Sequence, residues 1–124
     1  MAACTDLPPK VLLVEDEFLV SLHIASVLRE AGFEIVGPAA RLSDALRLAR
    51  SAEITLAMLD VNMAGELSWP VARVLRERGV PFLFVTGYLE AHAQMPADLV
   101  GTMVLAKPAD PDAILAALSR LVPS

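Results

Sequence analysis

Acidic, hydroxyl and ammonium side chains stand directly after four short apolar runs of this sequence. In chain order they are Glu15 and Asp16, then Asp60, then Thr86, and finally Lys107. Carboxylates hold Mg²⁺ together with phosphate oxygens, and a carboxylate can also act as a nucleophile. Hydroxyl and ammonium groups bind the remaining phosphoryl oxygens. The set therefore indicates phosphoryl transfer, provided that the fold brings these positions together.

Asp60 is the predicted nucleophile, and its product would be an aspartyl phosphate. Glu15, Asp16 and Asp60 are predicted to hold Mg²⁺, with Mn²⁺ as the alternative ion. Neighbouring carboxylates raise each other's pKa unless a cation neutralises them, which favours a metal at this site. The acids from Glu15 to Glu17 also replace the glycines that a nucleotide-binding turn would need, so we expect no nucleotide cofactor.

The apolar runs themselves are too short for helices and predict buried strands. They cover residues 11–14, 54–60, 80–85 and 103–106, and a shorter strand at 34–36 ends at Gly37 and Pro38. In a parallel α/β sheet the reactive groups lie beyond the carboxyl ends of the strands. The predicted fold class is therefore α/β, a doubly wound five-stranded parallel sheet with helices on both faces (flavodoxin-like).

Helical spacing of apolar residues fills the intervals between the strands. Ser43 and Ser68 are predicted to cap the second and third helices, Asp110 caps the last, and residues 90–99 form a short or irregular helix. The first helix follows Glu17, and its apolar positions recur at helical spacing: Phe18, Leu22, Ala25 and Leu28, with Leu19, Val20, Ile24 and Val27 beside them. Five strand–helix units result.

Composition limits the classes of function. The 124 residues fit one domain at 10–124 after a flexible N-terminal lead at 1–9, and a 56% hydrophobic, 5% aromatic composition predicts an aliphatic core. A net charge of -5 and a pI near 4.9 argue against a nucleic-acid partner. The single Cys4, the lack of a signal-peptide pattern and the lack of a long apolar run predict a cytoplasmic protein without membrane insertion.

The order and spacing of these motifs resemble the receiver domain of two-component response regulators over nearly the whole chain. The resemblance implies that Asp60 accepts a phosphoryl group from a sensor histidine kinase or a histidine phosphotransfer protein. It also implies that Glu15, Asp16, Asp60 and the backbone carbonyl of Asn62 surround Mg²⁺. Thr86 would rotate toward the phosphoryl group, Lys107 would pair with it, and the Lys107–Pro108 peptide bond would be cis.

The segment from Pro81 to Tyr88 further resembles the stand-alone receivers marked by a Phe-Ala-Thr-Gly-Tyr motif, with Val85 in place of its alanine. Many receivers carry an aromatic switch residue where this chain has Val104, and Tyr88 is predicted to take over part of that role. Asn62 and Tyr88 are predicted to tune water access to the site. Receivers often have Met-Pro after the phosphorylated aspartate, whereas Met63 is followed here by alanine and glycine, so we expect a local difference in this loop.

The resemblance predicts a phosphorylation switch that catalyses only its own phosphorylation and dephosphorylation. Its output would be a phosphorylation-dependent interaction with an unknown downstream protein, through the region at residues 88–121. Two alternatives stay open on the sequence. One is a Mg²⁺-dependent phosphohydrolase that uses Asp60 as its nucleophile, and the other is a receiver without phosphotransfer that serves as an interaction module.

Overall fold

Five parallel strands form the central sheet. The computed structural model describes residues 8–87, 95–107 and 109–122. The sheet strands are β1 (Lys10–Val14), β2 (Glu34–Ala39), β3 (Leu56–Asp60), β6 (Phe82–Thr86) and β7 (Val104–Ala106). A separate antiparallel pair consists of β4 (Asn62–Met63) and β5 (Glu66–Leu67). The strand order in the central sheet is β2-β1-β3-β6-β7. It reverses beside β1, as in flavodoxin-like sheets, so the predicted fold class is confirmed.

Helices cover both faces of the sheet. They are α1 (Phe18–Glu30), α2 (Leu42–Ser51), α3 (Trp69–Glu77) and α4 (Pro111–Leu121). Alternate residues of β1 belong to different cores: Leu12 packs in the cluster with α2 and α3, whereas Leu13 packs in the cluster with α1 and α4. This alternation follows from the two-residue period of a strand. The two cores pack on opposite faces of the sheet and thereby fix the positions of the strand ends.

Strand β3 is buried along its whole length, as a central strand of a doubly wound sheet should be. It pairs with β1 on one side and with β6 on the other. Each fully buried leucine of this strand contributes roughly 1.5–3 kcal/mol relative to an exposed one. That burial holds Asp60, the last residue of β3, in a fixed place at the edge of the sheet.

Strand β2 is longer than predicted, because it continues through Gly37 and Pro38 to Ala39. As an edge strand it tolerates a proline, which lacks a backbone donor. Its pairing with β1 shifts and then resumes between Val14 and Ala39. Gly37 has φ 96°, and a Cβ there would lie 2.8 Å from the backbone nitrogen of Ala39. The backbone of β2 therefore requires glycine at position 37.

Helix ends follow the predictions in part. Asp110 caps α4, and its side chain accepts hydrogen bonds from the backbone N–H groups of Asp112 and Ala113. Ser68 is the N-cap residue of α3, although its hydroxyl makes no capping bond within the described residues. The prediction for Ser43 is wrong, because α2 already begins at Leu42 after the N-cap residue Arg41. The earlier start is set by the bond from the Ala45 N–H to the Arg41 carbonyl.

The buried face of α1 includes only part of its apolar residues. Ser21, Ile24, Ala25 and Leu28 are buried. Phe18 and Leu22 have the same helical spacing but are 73% and 48% exposed, and Leu19 is 77% exposed. The helix carries apolar residues on most of its circumference, so periodicity alone could not choose the buried side.

Residues 88–94 and 108 lie outside the described part of the chain, and so does the first half of the predicted helix at 90–99. Its described end forms a 3₁₀ turn at Ala97–Leu99, in which Leu99 is fully buried. Among the described helices, none is both long and apolar enough to cross a membrane.

Candidate functional site

The carboxyl ends of the sheet strands bring the predicted residues to one edge of the sheet. Glu15 and Asp16 follow β1, Asp60 ends β3, Thr86 ends β6 and Lys107 follows β7. An open depression of about 450 Å³ lies there, and its lining includes Asp16, Asp60, Thr86 and Lys107, together with Asn62. The sequence therefore predicted which positions meet.

Three carboxylates cluster at this edge of the sheet. One oxygen each of Glu15, Asp16 and Asp60 lies within 4.8 Å of the other two. Mg²⁺ binds oxygen at about 2.0–2.1 Å in octahedral geometry, so its ligands are roughly 3 Å apart when adjacent and roughly 4 Å apart when opposite. A small closing movement would bring the three oxygens to such distances. The donor set is all oxygen, so the residues fit Mg²⁺ or Mn²⁺.

Lys107 is the cationic centre of the site. Its Nζ lies 3.1 Å from Asp60 Oδ2 and 3.2 Å from Glu15 Oε1. A third acid, Glu17, places Oε1 at 3.8 Å from the same nitrogen. We did not assign Glu17 a role from the sequence, although it continues the acidic run that begins at Glu15. Its backbone N–H also donates to Glu15 Oε2, at 3.1 Å.

Burial and charge act together on the pKa of Asp60. Only 6% of this residue is exposed, and 3% of Glu15. Burial, and then the nearby charge of Glu15, raise the pKa of Asp60 to about 7, while Lys107 opposes the shift. Burial lowers the pKa of Lys107, but the charges of Asp60 and Glu15 outweigh it and leave that pKa above its ordinary value. The site thus contains more carboxylates than ammonium groups, and the charge of Glu15 contributes to the raised pKa of Asp60.

The stability of the cation-free protein should therefore fall as pH rises from about 4 to about 7. Across this range folded Asp60 keeps a proton that the unfolded chain has released, so each rise in pH favours unfolding. The raised pKa of Lys107 acts only above about pH 10 and leaves this window unchanged. Urea unfolding at several pH values in EDTA would measure the slope.

A matched series in Mg²⁺ is the control for this pH dependence. The cation binds the ionised carboxylates and should flatten or reverse the slope. In EDTA, the stability of the variant Asp60→Asn should fall less steeply with pH than that of the parent, because the variant lacks the carboxyl group of Asp60. A slope that is identical in Asp60→Asn would contradict the assignment of the effect to Asp60.

The remaining predicted residues are placed as follows. Thr86 is buried at the end of β6, and its carbonyl accepts a 2.8 Å hydrogen bond from the Lys107 N–H. Asn62 is exposed, and its Oδ1 accepts a hydrogen bond from the Gly65 N–H at 2.8 Å. The ligand role of the Asn62 carbonyl stays a prediction. Tyr88 and Pro108 lie outside the described residues, so their roles stay predictions too.

A doubly wound sheet that carries clustered acids and a paired lysine at its strand ends defines a class, the flavodoxin-like α/β domain with an acidic site at the switch of strand order. The family model for the response regulator receiver domain matches residues 11–119. This chain belongs to that family. Receiver domains bind Mg²⁺ at an acidic pocket, and the cluster of Glu15, Asp16 and Asp60 could hold such an ion.

Individual relatives agree with the family. The chain is 33% identical over 103 residues to the transcriptional regulatory protein PdtaR of Mycobacterium tuberculosis, covering 82% of this chain and 50% of that protein. It is 27% identical over 122 residues to the phyllosphere-induced regulator PhyR of Methylorubrum extorquens, covering 93% and 44%. The chain thus spans about half the length of these curated relatives. The solution structure of SdrG from Sphingomonas melonis Fr1 aligns with a TM-score of 0.78 and 33% identity, over 92% of this chain and 96% of that one.

Proposed function

We propose that this protein is a phosphorylation switch whose Asp60 accepts a phosphoryl group from the phosphohistidine of a sensor histidine kinase or a histidine phosphotransfer protein. The observation that carries the proposal is the geometry around Asp60. Its carboxylate clusters with those of Glu15 and Asp16, and Lys107 Nζ lies 3.1 Å from its Oδ2. A nucleophile, a cation site and a fixed positive charge therefore lie together.

The reaction needs little covalent work from the protein beyond the nucleophile. A carboxylate oxygen of Asp60 attacks the phosphorus atom, the bond from phosphorus to the donor's imidazole nitrogen breaks, and the imidazole keeps the electron pair. Mg²⁺, when bound by Glu15, Asp16 and Asp60, would neutralise negative charge on these carboxylates and on the phosphoryl group. Lys107 and the hydroxyl of Thr86 would pair with phosphoryl oxygens.

Phosphorylation would also change the partners of Lys107. The phosphoryl group adds about two negative charges and three acceptor oxygens next to a lysine that already contacts Asp60 and Glu15. Lys107 lies between β7 and α4, and we propose that the new pairing changes the region at residues 88–121. We propose that a downstream protein reads that change. The protein would act catalytically only on its own phosphoryl group.

An exposed apolar surface adjoins the site and suits a protein phosphodonor. Phe18, Leu19 and Leu22 are the exposed large apolar residues of α1. Next to them a cleft of about 470 Å³ has Leu19 and Lys107 in its lining, so it shares Lys107 with the site. Exposed apolar patches of this kind mark interaction surfaces. The donor protein would bind here and present its phosphohistidine to Asp60.

Replacing Leu19 by glutamine should slow protein-dependent phosphotransfer about tenfold or more, because one buried leucine at an interface contributes roughly 1.5–3 kcal/mol. Phosphorylation by acetyl phosphate should be unchanged, since the variant alters no charge at the site. The donor is a phosphorylated histidine phosphotransfer protein that labels the parent. Val100→Gln is the matched control, because Val100 is 67% exposed and lies before the amino end of β7. Equal effects of both variants would contradict the assigned surface.

Intact mass spectrometry tests the proposed function directly. The protein is incubated with Mg²⁺ and acetyl phosphate, with EDTA as the control. We expect the gain of one phosphoryl group, its absence in EDTA, and its removal by hydroxylamine, which cleaves acyl phosphates. Steady release of phosphate from small esters without any phosphoprotein would favour the phosphohydrolase alternative. A protein that neither gains a phosphoryl group nor binds beryllofluoride would be a silent interaction module.

A further inference from the structure

The loop after Asp60 is a closed hairpin that the sequence did not predict. Asn62 pairs with Leu67 and Met63 pairs with Glu66, so only two residues form the turn. The turn residues Ala64 and Gly65 have φ 54° and 94°. Two successive positive φ values are the signature of a type I′ turn, which matches the twist of the strands it joins. The turn therefore has a defined backbone geometry.

Three contacts hold this hairpin closed and attach it to the core. Asn62 Oδ1 accepts a hydrogen bond from the Gly65 N–H at 2.8 Å. The side chain of Met63 is 1% exposed and belongs to the core under α2 and α3. At the base of the hairpin, the Ser68 N–H donates to the Val61 carbonyl at 2.9 Å. The hairpin thus moves with the core and with the end of β3.

The turn contacts a cation ligand of a different strand. The Ala64 N–H donates a hydrogen bond to Asp16 Oδ2 at 2.9 Å, across 48 residues of sequence. Asp16 is one of the three clustered carboxylates. A carboxylate that accepts a hydrogen bond through Oδ2 keeps Oδ1 available for a cation. The bond also restricts rotation of a side chain that is only partly buried.

We propose that the hairpin at residues 62–67 is a positioning element of the cation site, whose turn amide at Ala64 orients Asp16 before a cation binds. The inference rests on the proposed function in that Asp16 is a cation ligand. Partners that orient metal ligands commonly change metal affinity by about 10- to 100-fold when they are lost. The hairpin therefore contributes to cation affinity, although its turn residues Ala64 and Gly65 do not contact the cation.

The variant Gly65→Ala tests this role through the backbone alone. A Cβ on Gly65 meets nothing within 4 Å among the described residues, but φ 94° is strained for alanine, so the turn must shift. Gly101→Ala is the matched control, since Gly101 has φ 100° with the same open surroundings and precedes the amino end of β7. Both variants should lose similar stability in urea. Only Gly65→Ala should weaken Mg²⁺ binding, about tenfold by calorimetry.

A second readout needs no cation. In EDTA, hydrogen exchange of the Ala64 amide should be faster in Gly65→Ala than in the parent and in Gly101→Ala. Asn62→Ala gives the same test with the turn sequence unchanged, because it removes the acceptor of the Gly65 N–H and keeps the backbone carbonyl. It should also weaken Mg²⁺ binding and speed Ala64 exchange.

The outcomes separate this inference from the proposed function. Parent-like Mg²⁺ affinity in both hairpin variants would overturn the inference and leave the proposed function standing. Equal losses of affinity in Gly65→Ala and Gly101→Ala would overturn it as well, because they would reflect general destabilisation. A parent protein that binds no Mg²⁺ would overturn both the cation site and the role of the hairpin.

Discussion

Replacing Asp60 by asparagine should abolish phosphoryl incorporation and, at the same time, stabilise the cation-free protein. The amide of asparagine cannot act as the nucleophile, so the loss should be complete in intact mass. The gain in stability follows from charge. The carboxylates of Glu15, Glu17 and Asp60 share one ammonium group, and Lys107 still has Glu15, now at 3.2 Å, as a partner when Asp60 is neutral.

The stabilisation by Asp60→Asn should be roughly 1–2 kcal/mol near pH 8, after allowance for solvent screening of a pKa shift this large. Urea unfolding in EDTA measures it. Asp44→Asn is the control, since Asp44 lies on α2 and pairs only with the exposed Arg47 among the described residues. It should leave phosphorylation unchanged. An Asp60→Asn protein phosphorylated as fast as the parent would refute the assignment of the acceptor.

Replacing Lys107 by methionine should impair both phosphorylation and folding. The substitution leaves the carboxylates of Asp60, Glu15 and Glu17 without the ammonium group that now lies within 3.8 Å of each. Loss of one fixed charge that stabilises a developing anion commonly lowers the rate about 100-fold or more. Removal of the ammonium group leaves buried carboxylate oxygens without a partner, which should lower stability by roughly 1–3 kcal/mol. Time courses with acetyl phosphate and urea unfolding measure the two effects.

A double-mutant cycle isolates the contact between Lys107 and Asp60. In the Asp60→Asn background, Lys107→Met should cost less stability by at least about 0.5 kcal/mol, because one of its carboxylate partners is already neutral. Lys10→Met is the matched control, since Lys10 pairs with the exposed Glu53 at the opposite edge of the sheet. It should leave phosphorylation unchanged. Strictly additive effects of Lys107→Met and Asp60→Asn would show that the two side chains do not interact.

The apolar surface of α1 and the hairpin are expected to have separate functions at the site. The apolar surface of Phe18, Leu19 and Leu22 would select the donor protein, whereas the hairpin at 62–67 would set cation affinity. Leu19→Gln should therefore affect only transfer from a protein, and Gly65→Ala should affect transfer from every donor through Mg²⁺. Measuring both variants with acetyl phosphate over a range of Mg²⁺ concentrations would distinguish donor recognition from cation binding.

The residues of the site could be predicted because their positions follow from local pattern. A short apolar run that ends in a polar residue specifies both a buried strand and the group at its carboxyl end. Parallel pairing then brings Glu15, Asp60, Thr86 and Lys107 to one edge without any further information. The order of strands and helices was predictable for the same reason, since their alternation allows few topologies.

Other features depended on contacts between distant parts of the chain. α1 is apolar on most sides, so only packing against the sheet and α4 decided that Ile24 is buried and that Phe18 is exposed. Glu17 was visible as an acid, but its approach to Lys107 joins positions 90 residues apart. The hairpin requires a positive φ at Ala64. Alanine rarely adopts that conformation, so the residue type does not predict the turn.

The sequence by itself determined the fold class, the strand ends and the set of groups that meet there, because hydrophobic period and residue type act locally. Only the tertiary structure decided which face of α1 is free, how Lys107 divides its contacts among three carboxylates, and that the Ala64 amide binds Asp16. These outcomes rest on packing and hydrogen bonds between segments far apart in sequence. The free energies of these contacts depend on interatomic distances between the segments, which the sequence pattern of a single segment does not specify.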